Sequence, residues 1–252
     1  MPYSLKNRNV LVTGGSRGLG AFICERFAEE GCNVAVNYIS NKERANQVAE
    51  KCRSKFGVNA VVLRADISVS SDAAYLVKET LAQLGGLDII VHNAGWTRMA
   101  DFGDINDLSL DEWNKYWDIN VISQLVLMQE AVPIFNANTD GGALIITSSI
   151  SGVNTGGSSM GYSVAKAAGL HLMKCLAVTQ GPKIRINAVL PGLLLTEWGR
   201  RFGEERIEAA KKSAALKQET MLDDCADAFI SIAKNSSMTG QQVVVDAGTL
   251  IR

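Results

Sequence analysis

Thr13-Gly14-Gly15-Ser16-Arg17-Gly18-Leu19-Gly20 follows the apolar run Val10-Leu11-Val12 and leads into residues 21–30, a segment of helical pattern. A strand that enters a glycine-rich turn and opens a helix lets backbone amides approach a pyrophosphate. The helix N-terminus adds the partial positive charge that holds it. The stretch therefore reads as a site for a phosphate-bearing cofactor. Its glycines, Gly14, Gly18 and Gly20, are spaced differently from the common G-x-G-x-x-G and so select among dinucleotide-binding families.

Outward from that turn, apolar runs at residues 9–13, 33–38, 60–65, 89–92, 143–148, 185–190 and 242–245 alternate with segments of helical period. Seven such runs separated by helices predict a parallel sheet covered on both faces. The unbroken triplets Val10-Leu11-Val12, Ile89-Ile90-Val91, Leu144-Ile145-Ile146 and Val243-Val244-Val245 suit strands buried on both sides. The expected fold is a single-domain, doubly wound α/β Rossmann fold over residues 1–252. A helical flap is expected at about 193–222, with its amphipathic part at 204–216. Ligands of such sheets bind beyond the carboxyl ends of the strands, so the residues that follow each run carry the function.

Composition narrows the class of ligand. A chain of 252 residues can bury one large core, and no linker rich in Pro, Ser or Gly divides it. Its formal charge of -1 comes without a block of like charges, which excludes the basic footprint of a nucleic-acid binder. Cys24, Cys32, Cys52, Cys175 and Cys225 are scattered without a C-x-x-C pair, so neither a disulfide framework nor a metal site is expected. Residues 1–8 are too short and polar for a signal peptide, and no apolar run reaches the ~18 to 20 residues that cross a bilayer. These features predict a soluble cytoplasmic protein whose partners are small molecules and copies of itself.

Tyr162 and Lys166 stand at i and i+4 on a segment, 161–179, that reads as a helix, so both project from one face. A phenol titrates near ~10, and an adjacent ammonium favours the phenolate. Moving that value to ~7 takes ~4 kcal/mol, within reach of one close cation together with the charge of an oxidised nicotinamide. Such a tyrosine can protonate a carbonyl oxygen under reduction or deprotonate an alcohol under oxidation. Ser149, at the end of an apolar run, offers a hydroxyl that can bind the substrate oxygen. Asn120 offers a carboxamide that can hold a water for proton return to Lys166.

With these residues in view, the chain resembles the short-chain dehydrogenase/reductase family from about residue 5 to residue 250. TGGSRGLG matches the family's T-G-x-x-x-G-x-G, Asp66 its adenine-contacting acid, Asn93-Ala94-Gly95 its N-A-G and Pro191-Gly192 its P-G turn. The resemblance implies a catalytic tetrad of Asn120, Ser149, Tyr162 and Lys166. It also implies cofactor contacts from Gly14, Ser16, Gly18, Leu19 and Gly20, from Asn37, Ser40, Asp66 and Ile67, and from Asn93, Ala94 and Gly95. Tyr162, Lys166, Pro191, Gly192, Leu194 and Thr196 complete that set. Two positions depart from the pattern: His92 stands where the family often has Asn, and Ala247 interrupts the frequent D-G-G. His92 reads most simply as a strand-end residue packing behind the cofactor.

Members that use NAD usually carry an acid at the end of the second strand, where it binds the ribose 2′-hydroxyl. This chain has Tyr38 there, and Arg17 adds a guanidinium suited to a 2′-phosphate, so the expected cofactor is NADP(H). Trp96 and Trp198, with Ile150, Ser149 and Ser151, are expected to border the substrate, a wall that suits a hydrophobic or ring-containing ketone. The layout is similar to 3-oxoacyl thioester reductases of the family. Its alternatives are a dehydratase, isomerase or cyclase on the same scaffold, or a non-catalytic NADP(H)-binding sensor. Ala165, Ala167, Ala168 and Gly169 are expected to allow close helix approach in a homodimer or homotetramer.

Overall fold

The computed structural model describes residues 3–251; the expected domain 1–252 also takes in residues 1, 2 and 252, which lie outside the described residues. Strands Asn9–Val12 (β1), Asn33–Tyr38 (β2), Ala60–Arg64 (β3), Ile89–His92 (β4), Gly142–Thr147 (β5), Ile184–Pro191 (β6) and Gln242–Val245 (β7) form one sheet. Their order is β3-β2-β1-β4-β5-β6-β7, and every neighbouring pair is parallel. The expected strands are all present, with ends shifted by one residue at β1, β3, β5 and β6.

Side-chain alternation divides the core between the two faces of the sheet. Val10 and Val12 point to one face, where they meet Ile23 and Phe27 of helix α1 (Gly18–Glu29), Val48 of α2 (Lys42–Phe56) and Phe229 of α8 (Leu222–Lys234). Leu11 points to the other, where it joins Leu76 of α3 (Ser70–Leu84), Leu127 of α5 (Ser123–Ala137) and Met173 of α6 (Met160–Thr179). Both faces of β1 are thus fully covered, which is why its sequence is apolar throughout. Each such side chain stabilises the fold by about 1.5–3 kcal/mol.

Helix α4 (Leu110–Trp117) begins with a capping box in which Ser109 and Glu112 satisfy each other's backbone amides. It continues into α5 through a π-helical turn, Asp118–Ile122. Beyond β6, the expected flap consists of a short 3-10 turn (Gly199–Phe202) and helix α7 (Glu204–Ser213), which buries none of its side chains. No helix among the described residues is long and apolar enough to cross a membrane.

The chain runs from β1 outward to β2 and β3, then returns to β4 on the other side of β1. That reversal opens a crevice at the carboxyl ends of β1 and β4, the place where open α/β sheets bind ligands. The glycine turn and Asn93-Ala94-Gly95 meet there.

Candidate active site

The glycine turn is held from three sides. Gly14 adopts φ 62° and donates its amide to Asn37 Oδ1 at 3.0 Å, while Gly15 donates to the Asn37 carbonyl at 2.9 Å. Thr13 Oγ1 accepts the amides of Asn93 and Ala94, both at 2.9 Å, and Asn93 Nδ2 donates to the Thr13 carbonyl at 3.0 Å. A Cβ on Gly20 would lie 2.3 Å from the Gly14 carbonyl oxygen, so only glycine lets helix α1 start this close to the turn. Arg17, the residue before α1, makes no side-chain cap, which leaves the first amides of the helix for a ligand. This cradle fits a dinucleotide pyrophosphate.

Several residues expected to touch a cofactor do other work with their side chains. The Asn37 side chain is buried, holding Gly14 and donating to the carbonyls of Leu63 and Ala65, so it shapes the crevice rather than lining it. Asn93 likewise uses its carboxamide on the turn and on Thr147 Oγ1. Tyr38, Leu19 and Ile67 sit in the core, so the route from Leu19 and Ile67 to a ligand is through the backbone. Asp66 Oδ1 accepts from Ser68 N and Oγ, a turn that fixes the carboxylate after β3. Ser40 is exposed, Ser16 half-buried, and Pro191 closes β6 before Gly192, where a Cβ would meet Thr220 and Asp246. Leu194 packs on the core below the crevice, and Thr196 Cγ2 approaches to 3.3 Å of a Cβ position on Gly18.

The four residues of the implied tetrad surround the end of the crevice. Lys166, 5% exposed, donates from Nζ to the Thr147 carbonyl at 2.8 Å and stands 5.5 Å from the centre of the Tyr162 ring. Burial pulls its amine down to about 7, because a charged ammonium there has lost its water. Burial also pushes the Tyr162 phenol up to about 12, outweighing the Ser149 hydroxyl, which draws it down. The expectation that Lys166 brings this phenol towards neutrality is therefore not met in the protein alone. The expectation also drew on the charge of an oxidised nicotinamide, which acts only with cofactor bound. Ser149 caps a 3-10 turn (Ile150–Gly152), its Oγ accepting from Ser151 N at 3.1 Å, which leaves its hydroxyl proton for another acceptor.

Asn120 lies in the π-helical turn, fully enclosed, with Nδ2 on the Tyr116 carbonyl at 2.9 Å and Oδ1 without a protein partner among the described residues. A buried amide oxygen in this state suits a bridging water. His92 braces the same turn. Ser123 Oγ donates to the Ile119 carbonyl at 2.6 Å, so His92 Nε2, 2.7 Å from Ser123 Oγ, must carry the proton and donate. Burial and the nearby Lys166 charge drop the His92 imidazole to about 3, which keeps it neutral.

Around Tyr162 lies an aromatic enclosure that the sequence only half revealed. Trp198 stands 5.9 Å from the Tyr162 ring, and Trp96 reaches it through Tyr116, at 4.8 Å from Trp96 and 6.5 Å from Tyr162. Tyr116, not singled out in sequence, is wholly buried, and its hydroxyl accepts from Ser159 Oγ at 2.8 Å and from Arg98 N at 3.0 Å. Ile150 is half-exposed beside Ser149, as a substrate wall requires. Ser151, expected in the same wall, is 7% exposed. It is buried under the loop before α6, where a Cβ on Gly157 would fall 2.5 Å from its Oγ.

A family model described as enoyl-(acyl carrier protein) reductase, of the short-chain dehydrogenase type, matches residues 14–249. The chain belongs to the short-chain dehydrogenase/reductase family. It is 32% identical over 240 residues to the protein named ketoacyl reductase 2 of the granaticin polyketide synthase of Streptomyces violaceoruber, covering 94% of each. It is 31% identical over 244 residues to 3-oxoacyl-[acyl-carrier-protein] reductase FabG of Staphylococcus aureus, covering 96% of this chain and 97% of that one. A short-chain dehydrogenase from Burkholderia cenocepacia, crystallised in complex with NADP, superposes with a TM-score of 0.90 at 31% identity, covering 98% of this chain and 99% of that one.

Two charged residues of this short-chain dehydrogenase/reductase were not visible in its sequence motifs. Arg44, in the first turn of α2, and Glu197, after β6, meet Arg17 at the mouth of the crevice: Arg17 Nη1 donates to Glu197 Oε2 at 3.0 Å and Arg44 Nη1 to Oε1 at 2.7 Å. They are far apart in sequence, and only the sheet order brings them together.

Proposed function

We propose that the enzyme reduces a ketone to a secondary alcohol with NADPH, with Tyr162 as general acid. The observation that carries this reading is the geometry of a half-buried Tyr162 phenol beside the Ser149 hydroxyl, with Lys166 Nζ 5.5 Å from the centre of its ring. NADPH would supply the hydride; the glycine turn and the N-terminus of α1 would hold its pyrophosphate. Ser149, whose oxygen already accepts from Ser151, donates its proton to the substrate oxygen and orients it. Tyr162 then gives its proton to that oxygen as negative charge builds there. Lys166 would stand as a cation beside the phenol as its proton leaves, and Asn120 Oδ1 would hold a water through which that proton is replenished.

The cofactor assignment rests on Arg17 and Arg44 at the crevice mouth and on Tyr38 where NAD-using relatives carry an acid. The NADP-bound Burkholderia neighbour supports it. Trp96, Tyr116 and Trp198 favour a hydrophobic or ring-containing ketone, and the ketoacyl reductase relatives make 3-oxoacyl thioesters the natural first substrates. A panel of 3-oxoacyl thioesters and cyclic ketones, each assayed with NADPH and with NADH, tests the reading. One NADPH oxidised per alcohol formed is expected. Product formation without NADPH consumption would point instead to a dehydratase or isomerase and would overturn it.

A further inference from the structure

Thr196, Glu197 and Trp198 are consecutive, and each lands on a different part of the crevice. Thr196 lies over Gly18, and Trp198 over Gly95 and Tyr162, its ring edge 3.4 Å from a Cβ position on Gly95. Between them Glu197 reaches outward and splits its two oxygens between Arg17 and Arg44. Among the described residues neither guanidinium has another carboxylate partner. The depression they border also contains Ser16 and Lys51, and Lys51 is already paired with Glu25 at 2.7 Å.

We propose that Glu197 is a specificity-determining residue: it occupies the guanidinium pair that a cofactor 2′-phosphate needs, and so tempers the preference of the enzyme for NADP(H) over NAD(H). This rests on the reading of Arg17 and Arg44 as the phosphate site. A carboxylate offers one charge and two acceptor oxygens, whereas a phosphate monoester offers a charge of about −1.5 to −2 and three acceptor oxygens. The phosphate therefore displaces Glu197, but must do so against an existing pair and against the repulsion of the carboxylate it frees. A ribose 2′-hydroxyl meets no such competition, since it needs neither guanidinium. The two arginines thus select for phosphate, while Glu197 works against them from a different part of the chain. Arg17, Glu197 and Arg44 keep 67%, 58% and 43% of their side chains exposed, so solvent screens the pairs and the effect is moderate.

The test measures dissociation constants of NADPH, NADH, 2′,5′-ADP and 5′-ADP for the full-length protein and for its Glu197→Gln, Glu197→Ala and Arg17→Ala variants. Glu197→Gln and Glu197→Ala are expected to tighten NADPH and 2′,5′-ADP by roughly three- to tenfold. NADH and 5′-ADP should move by less than about twofold, and raising salt should shrink the difference. Unchanged or weaker NADPH binding in both Glu197 variants, with Arg17→Ala still losing NADPH selectively, would overturn the role of Glu197 alone. Equal binding of 2′,5′-ADP and 5′-ADP by the unaltered protein, with Arg17→Ala without effect, would overturn the phosphate site and this inference with it.

Discussion

At the scale of single residues, His92 carries a cost that depends on pH. Its imidazole is held near 3 in the folded protein against an ordinary value of 6.5, so between those limits the unfolded chain takes up a proton that the folded chain refuses. Stability therefore falls as pH drops through that window, by up to about 1.4 kcal/mol per pH unit. In a His92→Asn variant, urea unfolding between pH 7 and pH 4 should show a shallower loss of stability than the unaltered protein, at the expense of about 1 kcal/mol at pH 7 from the altered contact with Ser123. Identical slopes would contradict the neutral, buried imidazole. Ala247 is a second departure with a physical trace. It adopts φ 54°, a left-handed conformation that strains a side chain and that the family's more frequent glycine would relieve. Legibility at this scale depended on local spacing. Tyr162 and Lys166 share a helix face and could be paired from sequence, whereas Arg17, Arg44 and Glu197 meet only because β1, β2 and β6 end on the same side of the sheet.

At the scale of elements, β1, β4 and β5 were legible as short apolar runs buried on both faces, whereas the Val243-Val244-Val245 run, expected to be buried likewise, forms the edge strand β7 with Val244 43% exposed, because only one neighbour covers it. The π-helical turn at Asp118–Ile122 was not legible, since a one-residue change in hydrogen-bond register leaves no mark on hydrophobic periodicity. The amphipathic stretch at 204–216 became α7, but it ends at Ser213, and the rest of the expected flap is turns. Helix α6 needs a correction. Ala165 is buried within the protomer, and Gly169 is pressed against the Asn120 carbonyl and Gln124, so neither serves subunit contact. The outer face carries Val164, Ala167 and Val178, with Val164 and Val178 47% and 85% exposed. We propose that this face, which keeps the expected Ala167 but not Ala165 or Gly169, associates with a second copy of the chain. Light scattering should give a dimer or tetramer that Val164→Lys with Val178→Lys dissociates. A monomer in the unaltered protein, or an oligomer indifferent to both substitutions, would contradict this.

At the scale of the molecule, the sheet order places every piece of chemistry at one edge. The glycine turn follows β1, Asn93 follows β4, Ser149 follows β5, and Thr196, Glu197 and Trp198 follow β6, while α6 turns Tyr162 and Lys166 towards them. Burial sets the protonation of the pair, holding the phenol near 12 and the amine near 7, so the protein alone presents a proton donor. The central claim is that Tyr162 supplies that proton, and it is tested most directly by Tyr162→Phe, with turnover of a reducible ketone and calorimetric NADPH binding measured on the same preparation. Turnover is expected to fall by at least about 100-fold, the scale of general acid catalysis, with NADPH affinity within about threefold of the unaltered protein, a difference of less than 1 kcal/mol. Turnover within tenfold of the unaltered enzyme, at undiminished NADPH binding, would contradict it.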